Sequence, residues 1–288
     1  MTVVDYTHVD VFAEAAYRGN SLPVFVDPDE LTPAQMLQIT QELRHFEAIF
    51  LSSTPDPSIW QASVFDLFTE LPFAGHPIIG AAGVLHRTAG MAGPRTWHFE
   101  MPAKAVLVTT QPSPSGYVGV LDQGRPDFLG TMDDLAAVTR AFALDAADLR
   151  EDLPLEVVST GLRYLIVPVR AGALDRARVA VDITALVESV GAEFAVLLDE
   201  SRREVRHWNN DGVIEDVATG SAAGAIGAYR LRHDLTAGGT EFPLHQGRHV
   251  GRPSVLTVRP EGTPERVETV FVGGAVAFVG HGSVEIPQ

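Results

Sequence analysis

Short apolar runs punctuated by glycine, proline and asparagine set the pattern of the first half of the chain. Val9 to Ala13 and Leu22 to Val26, separated by the turn residues Arg18-Gly19-Asn20, predict two strands. At Thr32-Pro33 the period changes. Thr32 as N-cap, Pro33 at the first helical position and Met36, Leu37, Thr40 and Leu43 on one face predict a helix ending at Leu43. Phe46 to Leu51 and Val64 to Phe68 read as strands on either side of Pro55 to Pro57. Glu70-Leu-Pro-Phe-Ala-Gly75-His76-Pro77 then leads into a small-residue helix reaching Leu85, with Pro77 suited to its first turn. Trp97 to Glu100 and Ala105 to Thr109 predict two more strands, completing one α+β unit.

The second half repeats the order. Pro112 to Gly116 reads as a linker and Met132 to Phe142 as a helical stretch. Leu165 to Val169 predicts a strand, Asp182 to Val190 a helix before Gly191, and Phe194 to Leu198 and Val205 to Trp208 two strands. Glu215-Asp216 opens a turn at Thr219-Gly220-Ser221, with Ser221 or Thr219 as N-cap, followed by a tightly packed helix from Ala222 to Leu231. Glu215 precedes Gly220 by the same spacing at which Glu70 precedes Gly75, about 145 positions earlier. An internal duplication follows from this, with an N-terminal α+β domain over 1–112, joined by the last strand at about 277–288, and a C-terminal one over 117–276. Each domain then carries a glycine-rich helix start whose free N–H groups point toward anions.

Aligning the halves exposes one difference with chemical weight. Phe46-Glu47-Ala48-Ile49 falls on Phe194-Ala195-Val196-Leu197, so Glu47 stands where the other copy has alanine. A carboxylate in an apolar strand either faces solvent or serves as a general acid/base, its pKa raised by desolvation.

Composition narrows the function. With 288 residues, 45% hydrophobic and 20% charged, the chain is expected to be a soluble globular protein of two domains. A net charge of −16 argues against nucleic acid and anionic membranes as partners, but permits a small anionic metabolite held by local dipoles. There is no cysteine, which excludes disulfides, thiolate metal sites and cysteine nucleophiles, and Lys104 as the sole lysine argues against pyridoxal chemistry. No secretory leader pattern or membrane-length apolar stretch stands out, so a cytoplasmic location is expected. His245 and His249 have helical metal-pair spacing, yet Gly247 and Gly251 argue against a helix there, and no metal is expected. Gly220-Ser221-Ala222-Ala223-Gly224 is not a nucleophile elbow, and the glycine spacing fits neither dinucleotide nor P-loop fingerprints. Asp122, Asp127 and the acidic run from Asp145 to Asp152 read as solvated faces.

Phe46-Glu47-Ala48-Ile49-Phe50, Glu70 to Pro77, Ser159-Thr-Gly161, Glu215 to Gly224 and Gln246-Gly-Arg-His-Val-Gly-Arg-Pro-Ser254 together resemble the PhzF-like family of phenazine-biosynthesis isomerases, over essentially the whole chain. The resemblance implies a diaminopimelate-epimerase-like α+β fold: two pseudo-symmetric domains, each a strongly curved, mostly antiparallel sheet or barrel around a central helix, with the active site in the cleft between them. It implies a cofactor-free enzyme, usually a homodimer. Carried over residue by residue, the catalytic glutamate falls on Glu47, with His76 and Asp216 as its partners. The substrate-binding positions fall on Gly75, Pro77, Gly220, Ser221 and Ala222. The two cysteines of the diaminopimelate epimerases are replaced by His76 and Ser221.

The chain departs from the family pattern at Phe46, Val217 and Ser21, where serine, proline and proline are usual. Trp208-Asn209-Asn210 replaces a more apolar segment, and the loop before Glu70 is shorter. The expected reaction is therefore proton or double-bond relocation on a small carboxylic or amino acid, with Glu47 as base and acid. Antibiotic-pathway relatives make a dihydropyrrole carboxylate one candidate substrate. Epimerisation or hydrolysis on the same fold, and a metabolite-binding protein without catalysis, are the alternatives.

Overall fold

The computed structural model describes residues 2–28 and 31–288. Contacts divide the chain into two compact units, Met1–Asp122 with Gly273–Gln288, and Gln123–Val272.

The first unit runs β1 (Val3–Val11), β2 (Asn20–Val26), α1 (Pro33–Leu43), β3 (Ala48–Ser53), β4 (Ile59–Phe65), β5 (Glu70–Leu71), α2 (His76–Ala89), β6 (Arg95–Glu100), β7 (Ala105–Ser113) and β8 (Gly116–Asp122). Local chemistry sets α1 as expected. Thr32 Oγ1 accepts from Gln35 N–H, Gln35 reaches back to the Thr32 N–H, and Pro33 occupies the first turn. Seven of these strands, β5 apart, join the chain's last strand, Arg266–Glu285, in a closed eight-stranded barrel. Closure leaves no free sheet edge, and α2, buried along most of its length, is the central helix. Its Gly80 is required by close approach, since a Cβ there would lie 2.6 Å from Leu22 and 2.9 Å from Val11.

The second unit runs β9 (Asp127–Thr131), α3 (Leu135–Ala141), β10 (Glu156–Ser159), β11 (Arg163–Val169), α4 (Thr184–Glu188), β12 (Phe194–Asp199), β13 (Glu204–His207), α5 (Gly220–Arg232), β14 (Phe242–Gln246), β15 (Ser254–Thr263) and the opening residues of β16 (Arg266–Glu285), a strand that belongs to the first unit from Gly273 onward. The helix α5 is buried from Gly220 to Leu231 and is the central helix of this unit.

The duplication is written in the strand pairings. From β1 through β7 the senses run antiparallel, parallel, antiparallel, parallel, antiparallel. From β10 through β15 the series is the same. In each unit the two parallel steps are crossovers through helices, as parallel neighbours require: α1 and α2 in the first, α4 and α5 in the second.

Three sequence expectations need correction. The acidic run from Asp145 to Asp152 is not wholly a solvated face, since Asp148 is buried and paired with Arg176. Pro112 to Gly116 is not a linker but the tip of a β-hairpin, with Pro112 paired to Tyr117 and Ser113 to Gly116; proline and glycine mark hairpin turns as readily as linkers. The register between the halves also slips by one residue. Ala48, Phe50, Phe25 and Phe65 pack with Ile39 on the α1 side of their sheet, and Ala195, Leu197, Val167 and Trp208 pack with Ile183 and Val187 on the α4 side of theirs. Phe25 pairs with Phe50, and Val167 with Leu197. Ala48 therefore corresponds to Ala195, and Glu47 to Phe194. A one-residue slip moves every side chain to the other face, and an unbroken apolar run carries no parity signal to prevent it.

Candidate active site

Glu47 stands one residue before β3, on the face of the strand opposite the α1-side cluster that holds Ala48 and Phe50. It is buried, 9% exposed, and its Oε2 lies 3.4 Å from Nδ1 of His76. His76 is the first residue of α2 and is itself 4% exposed. Gly75 is the N-cap, contributing no side chain, and Pro77 sits in the first turn, where a missing N–H costs nothing. A buried carboxylate and imidazole thus meet at the positive end of a 14-residue helix. The arrangement can move a proton and hold a negative charge beside it.

The second unit presents a helix start of different construction. Thr219 occupies the N-cap position of α5, but its hydroxyl does not cap the helix; it donates to Asp216 Oδ2 at 2.6 Å. Asp216 Oδ1 accepts from Ala218 N–H at 3.3 Å, closing a tight turn on its own carboxylate. Gln246 completes it. Its Oε1 accepts from Thr219 N–H, and its Nε2 donates to the Asp216 carbonyl and to Thr219 Oγ1, each at 3.0 Å. Beyond the turn lie Gly220, Ser221 and Ala222, the first residues of α5, all buried.

Ser221 lies inside the first turn rather than at the cap, and its Oγ is 2.8 Å from the hydroxyl of Tyr164. Gln123 Nε2 donates to the Gly220 carbonyl at 2.8 Å, and Thr160 Oγ1 donates to Gln123 Oε1 at 2.6 Å. Phe194, the counterpart of Glu47, packs its ring 5.6 Å from Tyr164 and 5.7 Å from His207. The same strand position thus offers a carboxylate to His76 at one helix start and, in the other unit, an aromatic ring to Tyr164, whose hydroxyl meets Ser221.

His207 is a further buried imidazole. Its Nδ1 contacts the Ala195 carbonyl at 2.9 Å, and burial lowers its pKa against the opposing pull of Asp216. Gln123, Tyr164 and His207 carried no local signal of a role, whereas Thr160 and Gln246 lie inside two of the sequence motifs. Lys104 stacks its ammonium 4.4 Å from the ring of Phe73, in the loop before Gly75, and burial lowers its pKa. His245 lies on β14 and His249 in a short 3₁₀ turn, so the two share no helix. No cluster of three or more potential metal ligands occurs among the described residues.

The family model of the phenazine biosynthesis-like proteins matches residues 9–282. The chain belongs to that family. An uncharacterized isomerase of Pasteurella multocida is 30% identical, covering 100% of this chain and 96% of its own. The trans-2,3-dihydro-3-hydroxyanthranilate isomerase of Pseudomonas chlororaphis is 29% identical, covering 97% and 98%. Among solved structures, a predicted epimerase from Pseudomonas aeruginosa superposes with a TM-score of 0.92 at 43% identity, covering 98% of this chain and 99% of that one. A hydroxyproline epimerase from Agrobacterium vitis shares the fold, with a TM-score of 0.65 at 14% identity and coverage of 99% and 93%. The chain is an isomerase of the phenazine biosynthesis-like family, and no helix among its described residues is long and apolar enough to cross a membrane.

Proposed function

We propose that this isomerase relocates a proton on a small carboxylic or amino acid, with Glu47 as both general base and general acid. The observation that carries the proposal is the buried Glu47 carboxylate 3.4 Å from His76 at the start of α2. Glu47 takes a proton from an activated C–H bond, the electron pair shifts along the conjugated system, and the same carboxyl returns the proton to a second carbon. Every step is a proton transfer, so no cofactor is needed for electron balance. Developing enolate charge is met by the N–H groups and dipole of α2, and His76 orients the substrate or holds the second proton. The α5 start, from Gly220 to Ala222, offers a second set of N–H groups for a carboxylate, and Asp216 orders it by building the turn. The substrate is a small anion. Trans-2,3-dihydro-3-hydroxyanthranilate, named in its relatives, and dihydropyrrole carboxylates are the first candidates, and an antibiotic-type biosynthetic pathway is the expected setting.

Incubation of these compounds with the enzyme in deuterium oxide tests the reading. Isomerisation appears as a shifted double bond with deuterium exchange at carbon, abolished in Glu47→Gln. The epimerase prediction attached to the 43%-identical structure favours a second outcome, deuterium at a carbon whose configuration has inverted. Turnover that neither shifts a double bond nor inverts a carbon would remove both, whereas a shifted double bond with incomplete exchange is the mark of one carboxyl returning the proton it took.

A further inference from the structure

Arg206, on β13, is 8% exposed and has every side-chain nitrogen committed. Its Nε donates to Glu215 Oε1 at 2.8 Å and its Nη2 to Glu215 Oε2 at 2.6 Å, the paired geometry of guanidinium on carboxylate. Its Nη1 donates to the carbonyls of Leu174 and Ala177, at 2.6 and 2.8 Å. The guanidinium also stacks 4.3 Å from the centroid of Trp208. One planar group thus ties three segments: its own strand, the turn around 174–177, and the residue immediately before Asp216. The backbone runs the same way, since Trp208 bridges to Glu215 and Asp216 N–H donates to the His207 carbonyl at 2.9 Å.

We propose that Arg206 is a positioning residue for the isomerase reaction. Acting through Glu215, it holds the Glu215–Thr219 turn so that the first N–H groups of α5 are aligned for a substrate carboxylate. This rests on the reading of α5 as a carboxylate-binding element. The hydrogen bonds of Arg206 and Glu215 described above all lie outside that element.

Stability alone does not account for the pair. Both side chains are only 10% exposed, and two desolvated charges stabilise a fold no better than apolar residues of the same volume. What the fork adds is direction, because its five donors lie in one rigid plane and lysine cannot reproduce them. Asp216, Thr219 and Gln246 then make their hydrogen bonds on a segment whose first residue is already fixed. Exchange at the α5 start should therefore depend on a charge that lies outside it.

Hydrogen–deuterium exchange on the full-length chain, with Glu215→Gln and Arg206→Lys, tests this together with steady-state kinetics on trans-2,3-dihydro-3-hydroxyanthranilate. In Glu215→Gln, exchange over residues 216–222 is expected to accelerate at least about tenfold while β12 keeps its protection, as for a local opening. KM is expected to rise at least about tenfold with kcat changed less than about threefold, the signature of lost binding without lost chemistry. Arg206→Lys, which keeps the charge and loses the fork, should fall between wild type and Glu215→Gln, and it decides the matter if Glu215→Gln does not fold. Unchanged exchange over 216–222, or a uniform loss of protection across the second unit, would overturn the proposal. A wild-type enzyme inactive on this compound would count against the substrate reading alone, since the exchange measurement still decides the role of Arg206.

Discussion

Glu47 Oε2 and His76 Nδ1 lie 3.4 Å apart, both buried, where β3 begins and α2 begins. If the carboxylate is the proton carrier, Glu47→Gln keeps its volume and removes its basicity. Turnover should fall by roughly 10²–10⁴-fold while ligand binding is retained. Glu47→Asp keeps the charge but withdraws it by about a methylene, a displacement that costs on the order of 10²-fold in rate. Measured deuterium incorporation into substrate separates this from a structural role: wild-type incorporation by Glu47→Gln would pass the part of base to His76.

Gly224 is required by the packing around the α5 start. A Cβ at this position would land on Gln123 Oε1 and come within 2.8 Å of Thr160 Oγ1. The Gln123 side chain would have to leave the Gly220 carbonyl. Alanine is the better helix former by about 1 kcal/mol, but overpacking a closed interior costs roughly 1–3 kcal/mol and should win. Gly224→Ala is expected to lower stability in urea titration and to weaken substrate binding; a variant as stable as wild type would show that the cluster yields freely.

What could be read from the sequence was whatever local chemistry determines. Thr32 and Pro33 mark the start of α1 because a capping box needs only neighbours in sequence. Gly75-His76-Pro77 and Thr219-Gly220-Ser221 are legible as helix starts because a permissive glycine, a φ-fixing proline in the first and a small polar residue in the second act through neighbours in sequence alone. Parity was not legible. Phe194 to Leu198 is apolar throughout, so nothing in it says which residue faces α5, and the slip that set Glu47 against Ala195 followed. Of the two N-cap candidates, Ser221 and Thr219, the position falls to Thr219, yet its hydroxyl turns to Asp216, held there with Gln246 from 27 residues away. Tyr164, Gln123 and Arg206 acquire meaning only through partners distant in sequence, and no spacing rule reaches them.

The buried His207 gives a pH signature with a definite sign. Burial is the largest influence on it and depresses its pKa below the ordinary 6.5, while Asp216, the Ala195 carbonyl and Glu215 pull the other way. The folded chain thus holds a neutral imidazole where the unfolded chain takes up a proton. Above about pH 6.5 neither state is protonated there and the group adds no pH dependence. As pH falls below that value the unfolded state binds more protons, and stability is lost at up to about 1.4 kcal/mol per pH unit until the folded pKa is passed. His207→Asn keeps a donor for Ala195 and cannot titrate. Its urea-unfolding free energy should therefore fall less steeply between about pH 6.5 and 5 than that of wild type; parallel curves would mean that His207 is protonated equally in both states.

Ser221 tests whether the α5 start receives a carboxylate. It lies in the first turn of a 13-residue helix, with Tyr164 on its hydroxyl and the turn behind it locked by Asp216, Thr219 and Gln246. An aspartate there would meet the positive end of the helix, a stabilisation of roughly 0.3–1 kcal/mol at exposed sites that offsets only part of the cost of burying the charge. It would compete with any anion for the same N–H groups. Ser221→Asp is therefore expected to melt below wild type, since it buries a carboxylate at an 8% exposed position, and to bind an anionic substrate or product at least about tenfold more weakly by calorimetry of the folded variant. The thermal shift should change with it. A ligand at 100 times its dissociation constant stabilises the wild type by about 2.7 kcal/mol, and a tenfold loss of affinity at the same concentration leaves about 1.4 kcal/mol. Ser221→Ala, which removes the hydroxyl without adding charge, separates the two contributions: a small loss assigns the binding to backbone N–H groups, and a loss equal to that of Ser221→Asp assigns it to the hydroxyl. Unchanged affinity in Ser221→Asp would take the carboxylate away from this helix start.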